Sequence, residues 1–140
     1  MKSLAKLGAV LALLASSFVD AQVYNQIPFV STSVATGVAP ATPAAISVKA
    51  SSGTVYSVSC FNLLATPVYV KLFNATSVTL GTTSAVVNLM CPGNTAGAGF
   101  VMGAPITFST GIEYAVTGGI SLTDNTSITA TSVIVNITYQ

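Results

Sequence analysis

Residues 109–127 contain Glu113 and Asp124, the two carboxylates that follow Asp20 in this chain. Hydrolysis of a glycosidic bond uses two carboxyl groups held a few ångströms apart, one of them with a raised pKa. Glu113 alternates with the apolar residues Ile112 and Tyr114, so we expect it to lie on the solvent side of a strand. Asp124 falls in a turn further along the chain. This spacing does not favour a catalytic pair, and we predict that the stretch is scaffold.

Other kinds of catalytic or metal site also lack the necessary residue types. The chain has no His to activate a Ser or Cys. A Ser–Lys arrangement would need a desolvated Lys49 or Lys71, and the period-two pattern places both on outward positions. Zinc would have two Cys and no His. Calcium at residues 123–126 is an alternative to a plain turn, which we favour. We therefore predict no enzyme, no metal and no cofactor.

The scarcity of charge restricts the partners that this chain can bind. After residue 21 the charged residues are two Lys, one Glu and one Asp, which give a net charge of zero. Binding to nucleic acid displaces counterions through many Lys or Arg contacts, so nucleic acid is not expected as a partner. A surface made of uncharged residues favours association with other copies, or glycosylation. Asn74, Asn125 and Asn136 each match the N-glycosylation pattern, which also arises by chance in Ser/Thr-rich chains.

The N-terminus has the pattern of a secretory signal peptide. Lys2 and Lys6 precede an apolar run at residues 7–19, and small residues precede a cleavage point before Gln22. The run is short for a membrane span. A retained apolar anchor is the alternative. We expect residues 1–21 to be removed and the mature protein to be exported, without a membrane segment.

Cys60 and Cys91 are the two cysteines of the chain. In an exported protein such a pair is expected to form a disulfide, which would contribute about 3–4 kcal/mol in the loop-entropy model. The alternative is two buried free thiols acting as small apolar side chains.

A period-two alternation of apolar and polar residues runs through residues 44–140. It occurs in at least six segments, separated by Gly, Pro, Asn and Ser turns, and it predicts short strands. Cys60 and Cys91 fall on the inward positions of their segments. Residues 22–43 lack this alternation and contain three Pro. We interpret them as an extended arm that clamps a neighbouring subunit or packs along its own domain, with one short edge strand near residues 29–34. The prediction for 44–140 is a single antiparallel β-sandwich, or jelly-roll-like domain, of seven to nine strands.

Three aromatic residues fall on predicted outward or loop positions: Tyr69, Phe73 and Phe100. They could form a surface for sugar stacking or subunit contact. The alternative is that the arm or an edge loop covers this face.

Four short motifs in a fixed order carry a family resemblance. They lie at residues 53–56 (GTVY), 69–74 (YVKLFN), 80–82 (LGT) and 108–117 (FSTGIEYAVT). Over residues 44–140 the chain resembles small proteins encoded among the virion structural genes of tailed, mostly aquatic phages. The resemblance implies a structural, virion-associated β-sandwich and supplies no catalytic residue. The signal-like N-terminus and the Cys pair depart from that pattern.

The composition, the pattern and the resemblance together favour a non-enzymatic protein. We expect it to self-associate and to build or decorate an extracellular assembly, such as a virus particle surface or fibre. Its partners would be copies of itself or other surface proteins. A secreted adhesin or carbohydrate-binding module is the alternative.

Overall fold

The computed structural model describes residues 33–38 and 43–140, which belong to the compact unit Ser31–Gln140. For residues 33–36, 38 and 95–103 it describes the backbone alone. The predicted signal segment and most of the predicted arm lie outside the described residues. Within the described part, no helix has the length and apolar character that a membrane crossing requires.

Eight strands follow one another along the described chain. Their bounds are β1 Ser33–Val38, β2 Ile46–Lys49, β3 Gly53–Asn62, β4 Val68–Asn74, β5 Val87–Cys91, β6 Thr95–Phe108, β7 Ile112–Thr117 and β8 Val133–Tyr139. The two short predicted runs near residues 100–108 are parts of the single long strand β6.

The strands form two four-stranded antiparallel sheets. Sheet A has the order β1-β8-β3-β6, and sheet B has the order β2-β7-β4-β5. The first strand pairs with the last, the second with the seventh, the third with the sixth and the fourth with the fifth. This is the pairing of one long hairpin folded over into two layers. The predicted all-β antiparallel sandwich of seven to nine strands is confirmed.

Strand β1 lies within residues 22–43, the predicted arm. It spans Ser33–Val38, overlaps the end of the edge strand predicted near residues 29–34, and pairs along its whole length with β8. These six residues are therefore part of the sandwich, as in the alternative in which the segment packs along its own domain. The missing sequence signal has a physical reason: the Ala, Thr and Gly of β1 are too small and too mixed to produce an apolar alternation.

The core lies between the two sheets and contains the inward residues of both. The buried apolar residues that it shares are Val55, Val58, Cys60, Val68, Val70, Leu72, Cys91, Phe108, Ile112, Tyr114, Val116, Val133, Val135 and Ile137. In β3 the alternation that places Val58 and Cys60 inside would also place Tyr56 inside. A register shift between Val55 and Ser57 instead makes Tyr56 an extra residue opposite β8 and places Val55 in the core.

A disulfide links the two sheets through this core. Cys60 of β3 and Cys91 of β5 are both completely buried, with their Cα atoms 6.2 Å apart. The predicted pairing is confirmed.

Asn62, two residues beyond Cys60, is also completely buried. Its Nδ2 donates to the carbonyl oxygens of Thr66 (3.0 Å) and Cys91 (3.2 Å), and its Oδ1 accepts from the backbone N of Leu64 (3.0 Å). The amide therefore fixes the β3–β4 connection beside the disulfide.

Tyr114 of β7 spans the space between the sheets and ends against Gly37 of β1. A Cβ on Gly37 would overlap the Tyr114 hydroxyl and lie 3.0 Å from Tyr114 Cζ. The hydroxyl is buried and has no hydrogen-bond partner among the described residues. Burial also raises the pKa of Tyr114. The lack of a side chain at Gly37 therefore leaves room for the Tyr114 ring, although the Tyr114 hydroxyl makes no hydrogen bond within the described residues.

We expect Gly37→Ala to lower the free energy of unfolding by about 1–3 kcal/mol, the usual cost of overpacking. Tyr114→Phe alone should be neutral or stabilising by about 1 kcal/mol, because it removes an unsatisfied buried hydroxyl. In the double variant most of the Gly37→Ala loss should be recovered. Urea denaturation of the four proteins checks this. As a control, Tyr139→Phe should give no recovery, and strictly additive effects of the two changes would contradict the contact.

Candidate functional site

Glu113 lies on the outer face of sheet B, as the alternation predicted, but it is not solvent-facing. Only 6% of its surface is exposed. The connection between β4 and β5 folds over this face and forms a second apolar cluster, made of Phe73, Ala85 and Ala115 with Ala75, Val78 and Leu80. Burial raises the pKa of Glu113. The alternation identified the correct face of sheet B for Glu113. The expectation of solvent exposure was wrong because the β4–β5 connection folds over this face.

Asp124 organises the turn between β7 and β8. Its Oδ2 accepts from the backbone N of Gly119 (2.9 Å) and of Thr126 (3.1 Å), and its Oδ1 accepts from Thr126 Oγ1 (2.7 Å). Burial alone would raise the pKa of Asp124. The hydrogen bonds from Thr126, Thr117 and Gly119 together outweigh burial and hold the pKa below its ordinary value.

The structure does not pair the two carboxylates. Asp124 is hydrogen-bonded at the Thr117 end of β7, and Glu113 lies four residues away along the same strand. Four residues of extended strand span about 13 Å, which is beyond the separation used in glycoside hydrolysis. The raised pKa of Glu113 and the lowered pKa of Asp124 thus belong to two separate environments.

Lys71 corrects the prediction of an outward, solvated Lys. It lies on the outer face of β4, yet it is completely buried beneath the β7–β8 turn. Its Nζ donates to the Gly119 carbonyl oxygen (3.0 Å) and to Asn88 Oδ1 (3.3 Å), and it lies 5.6 Å from the centroid of the Tyr69 ring. Burial lowers the pKa of Lys71, and the charge of Asp124 partly opposes that effect. Lys49 is half-buried at the end of β2.

The three predicted surface aromatics are placed differently. Phe73 is 1% exposed within the cluster under the β4–β5 connection, so it is not a contact platform. The side chain of Phe100 lies outside the described residues. Tyr69 is half-buried and lines an open cleft of about 490 Å³. We call this the Tyr69 cleft; its hydroxyl-bearing lining residues are Thr66, Thr126, Ser127 and Thr129.

The three predicted glycosylation positions differ in their surroundings. Asn125 is exposed in the β7–β8 turn. Asn74 is exposed, but its Nδ2 donates to Ser109 Oγ (3.0 Å) and its Oδ1 accepts from the backbone N of Thr110 (2.8 Å). Asn136 is half-buried in the middle of β8. Of the three side chains, that of Asn125 is the one in an exposed turn.

Two buried or half-buried Asn residues were missed by the sequence reasoning. Asn62 supports the disulfide, and Asn88 binds Lys71. The sequence could have identified Asn62 as buried, because it lies two residues after Cys60 and so continues the inward positions of β3. Asn88 sits at an outward position that any polar residue could occupy. Among the described residues there is no group of three or more His, Cys, Asp or Glu that could hold a metal ion.

No family model and no curated protein matches this chain. Among solved structures, one described as a Bacillus endospore appendage, from a family of disulfide-linked pili, is similar with a TM-score of 0.42. The sequence identity is 16%, and the similarity covers 78% of this chain and 83% of the other.

The lowered pKa of Asp124 predicts a loss of stability in acid. The ionised carboxylate favours the folded state at pH values above its ordinary pKa of 3.8, and this contribution disappears as the pH falls through the lower folded value. Asp124→Asn should therefore reduce the free energy of unfolding by about 1–2 kcal/mol at neutral pH and by much less in strong acid. Urea denaturation across pH 2–7 measures the difference.

Thr123→Ala is the matched control, because Thr123 is exposed in the same turn and does not titrate. Its effect should not vary with pH. A difference between wild type and Asp124→Asn that stays constant across the range would contradict the assignment.

Proposed function

We propose that this chain is a non-enzymatic structural protein that associates with copies of itself to build or decorate an extracellular assembly. The observation that carries the proposal is the scarcity of charge on the surface of the sandwich. Lys71 and Glu113 are buried, so among the described residues only the half-buried Lys49 and Asp124 present charged side chains to solvent. Charge repulsion between copies is therefore minimal, which favours association.

Exposed apolar side chains lie on the outer face of sheet A. Phe61 of β3 and Ile134 of β8 are directly paired across the strands, and each is 39% exposed. Leu63, 74% exposed, follows at the end of β3, where its backbone N donates to the Ser132 carbonyl oxygen. We call these three residues the sheet A patch.

A second apolar group lies on the outer face of sheet B. Its members are the exposed residues Val86, Met90, Ile120 and Leu122, which we call the sheet B patch. Two hydrogen bonds hold the β7–β8 turn beside β5. Asn88 Nδ2 donates to the Ile120 carbonyl oxygen (2.6 Å), and the backbone N of Ala85 donates to the Leu122 carbonyl oxygen (3.0 Å).

The two patches lie on opposite faces of the sandwich, which supports a second copy of this chain as the occupant of each. A contact between the sheet A patch of one copy and the sheet B patch of the next is heterologous. Contacts of this kind repeat into rings or filaments. A charged partner would find one partly exposed Lys and one partly exposed Asp on the described surface.

Within this proposal, the assembly is the surface or a fibre of a virus particle. The strand pairing resembles that of a jelly roll, an architecture used in viral capsid and lectin domains. This support is an analogy of fold, and the motifs at residues 53–117 point the same way. A disulfide in the core fits a protein that matures in an oxidising compartment.

A carbohydrate-binding module is the second candidate, and the Tyr69 cleft is the observation in its favour. An aromatic ring beside several hydroxyl groups offers both stacking and hydrogen bonding to a sugar. Phe73 no longer supports this function, because it is buried.

Placing a charge in either patch should weaken self-association. Leu63→Asp and Ile120→Asp alter side chains that are 74% and 70% exposed, so the fold should tolerate them. We expect the concentration for half-assembly to rise roughly tenfold or more, equivalent to about 1.4 kcal/mol per contact. Sedimentation velocity over a concentration series measures this. Ser51→Asp, an exposed site outside both patches, is the control. The proposal would be contradicted if the wild-type protein stayed monomeric over the whole concentration series, or if the patch variants assembled like wild type.

The two candidate functions predict different locations for the protein. A virion component should be enriched in density-purified particles at a fixed ratio to a coat protein, as measured by quantitative mass spectrometry. A secreted binding module should occur in the particle-free supernatant and should be retained on a polysaccharide. Tyr69→Ala should abolish that retention, whereas Tyr139→Ala, outside the Tyr69 cleft, should preserve it.

A further inference from the structure

Lys71 and Asn88 face each other across neighbouring strands of sheet B. They are direct partners in the β4–β5 register. Lys71 Nζ lies 3.3 Å from Asn88 Oδ1. Because a carbonyl bond is about 1.2 Å long, Nζ cannot be farther than about 4.5 Å from the carbonyl carbon Cγ of Asn88. A potential nucleophile and a potential acyl group are therefore almost in contact.

The surrounding turn holds both groups in this arrangement. The Gly119 carbonyl oxygen accepts from Lys71 Nζ (3.0 Å), and the Ile120 carbonyl oxygen accepts from Asn88 Nδ2 (2.6 Å). Two successive carbonyl groups of one turn thus orient the amine and the amide. Asp124 fixes this turn through the backbone N of Gly119 (2.9 Å). Holding reacting atoms in place in this way can supply much of the rate of an otherwise slow reaction.

The environment also favours the reactive form of the amine. Lys71 is completely excluded from solvent. Burial lowers the pKa of Lys71, which increases the share of neutral, nucleophilic amine. The charge of Asp124 opposes this effect in part, and burial is the larger of the two influences.

We propose that Lys71 and Asn88 join in an intramolecular isopeptide bond. Lys71 Nζ attacks Asn88 Cγ, the Nζ–Cγ bond forms, and the Cγ–Nδ2 bond breaks. One proton of the neutral amine passes to Nδ2, which leaves as ammonia. No oxidant, reductant or co-reactant is required. The product amide retains one N–H, which can still donate to the Gly119 carbonyl oxygen.

The bond would fasten β5, an edge strand of sheet B, to its neighbour β4. The disulfide already fastens the end of β5 to β3 in the other sheet. The cross-link does not depend on self-association, so the two proposals can fail separately.

The test is the intact mass of the purified full-chain protein after reduction, each protein being compared with its own sequence mass. The wild type should have lost one more ammonia than Lys71→Gln and Asn88→Ala. Ring closure of an N-terminal Gln also releases ammonia, but it persists in both variants and cancels in the comparison. Asn88→Asp, if it cross-links with loss of water, should reach the same final mass as cross-linked wild type. Lys49→Gln is the matched control and should retain the wild-type loss.

Tandem mass spectrometry of digested wild-type protein provides a readout that does not depend on whether the variants fold. We expect a branched peptide joining residues 71 and 88 and no cleavage by trypsin after Lys71. Linear peptides ending at an unmodified Lys71, or equal ammonia loss in wild type and Lys71→Gln, would overturn the proposal.

Discussion

The packing of the two inner sheet faces against each other is the interaction on which the rest of this structure depends. It removes the apolar half of every alternating strand from water, which is the main favourable contribution to folding. Cys60 and Cys91 meet because both belong to those inner faces. The same packing forces Tyr114 across the layer until its ring reaches β1, where Gly37 leaves it space. The position of β1 thus depends on a side chain from the opposite sheet.

The outer faces show why a strand pattern predicts a fold better than it predicts a site. Alternation placed Lys71 and Glu113 on the face opposite the core, and the structure agrees. Alternation cannot tell which outer face a distant loop will cover. The β4–β5 connection covers Glu113, and the β7–β8 turn covers Lys71, so both side chains are buried. The bulge at Tyr56 was also beyond the pattern, since it depends on the pairing with β8, a strand distant in sequence. The alternation placed Asn62 inward but could not identify its hydrogen-bond partner, the carbonyl oxygen of Cys91.

The two sheets present different outer surfaces. Sheet B is overlaid by two connections, and it keeps an amine, an amide and two carboxyl groups close to its strands. Sheet A displays the cross-strand pair Phe61 and Ile134. The surface of the sandwich has few charges and has exposed apolar side chains on both sides. The Tyr69 cleft combines an aromatic ring with several hydroxyl groups.

The disulfide also limits how far the chain can extend under tension. It joins residues 31 positions apart and encloses β4 with both of its flanking connections. A molecule pulled from its two ends could release the outer strands one after another, while the enclosed segment would carry no load. At about 3.4 Å per residue, the contour length gained on complete mechanical unfolding would fall short by roughly 100 Å. In a fibre under shear, β4 and its hydrogen bonds to β5 would thus be shielded from direct pulling.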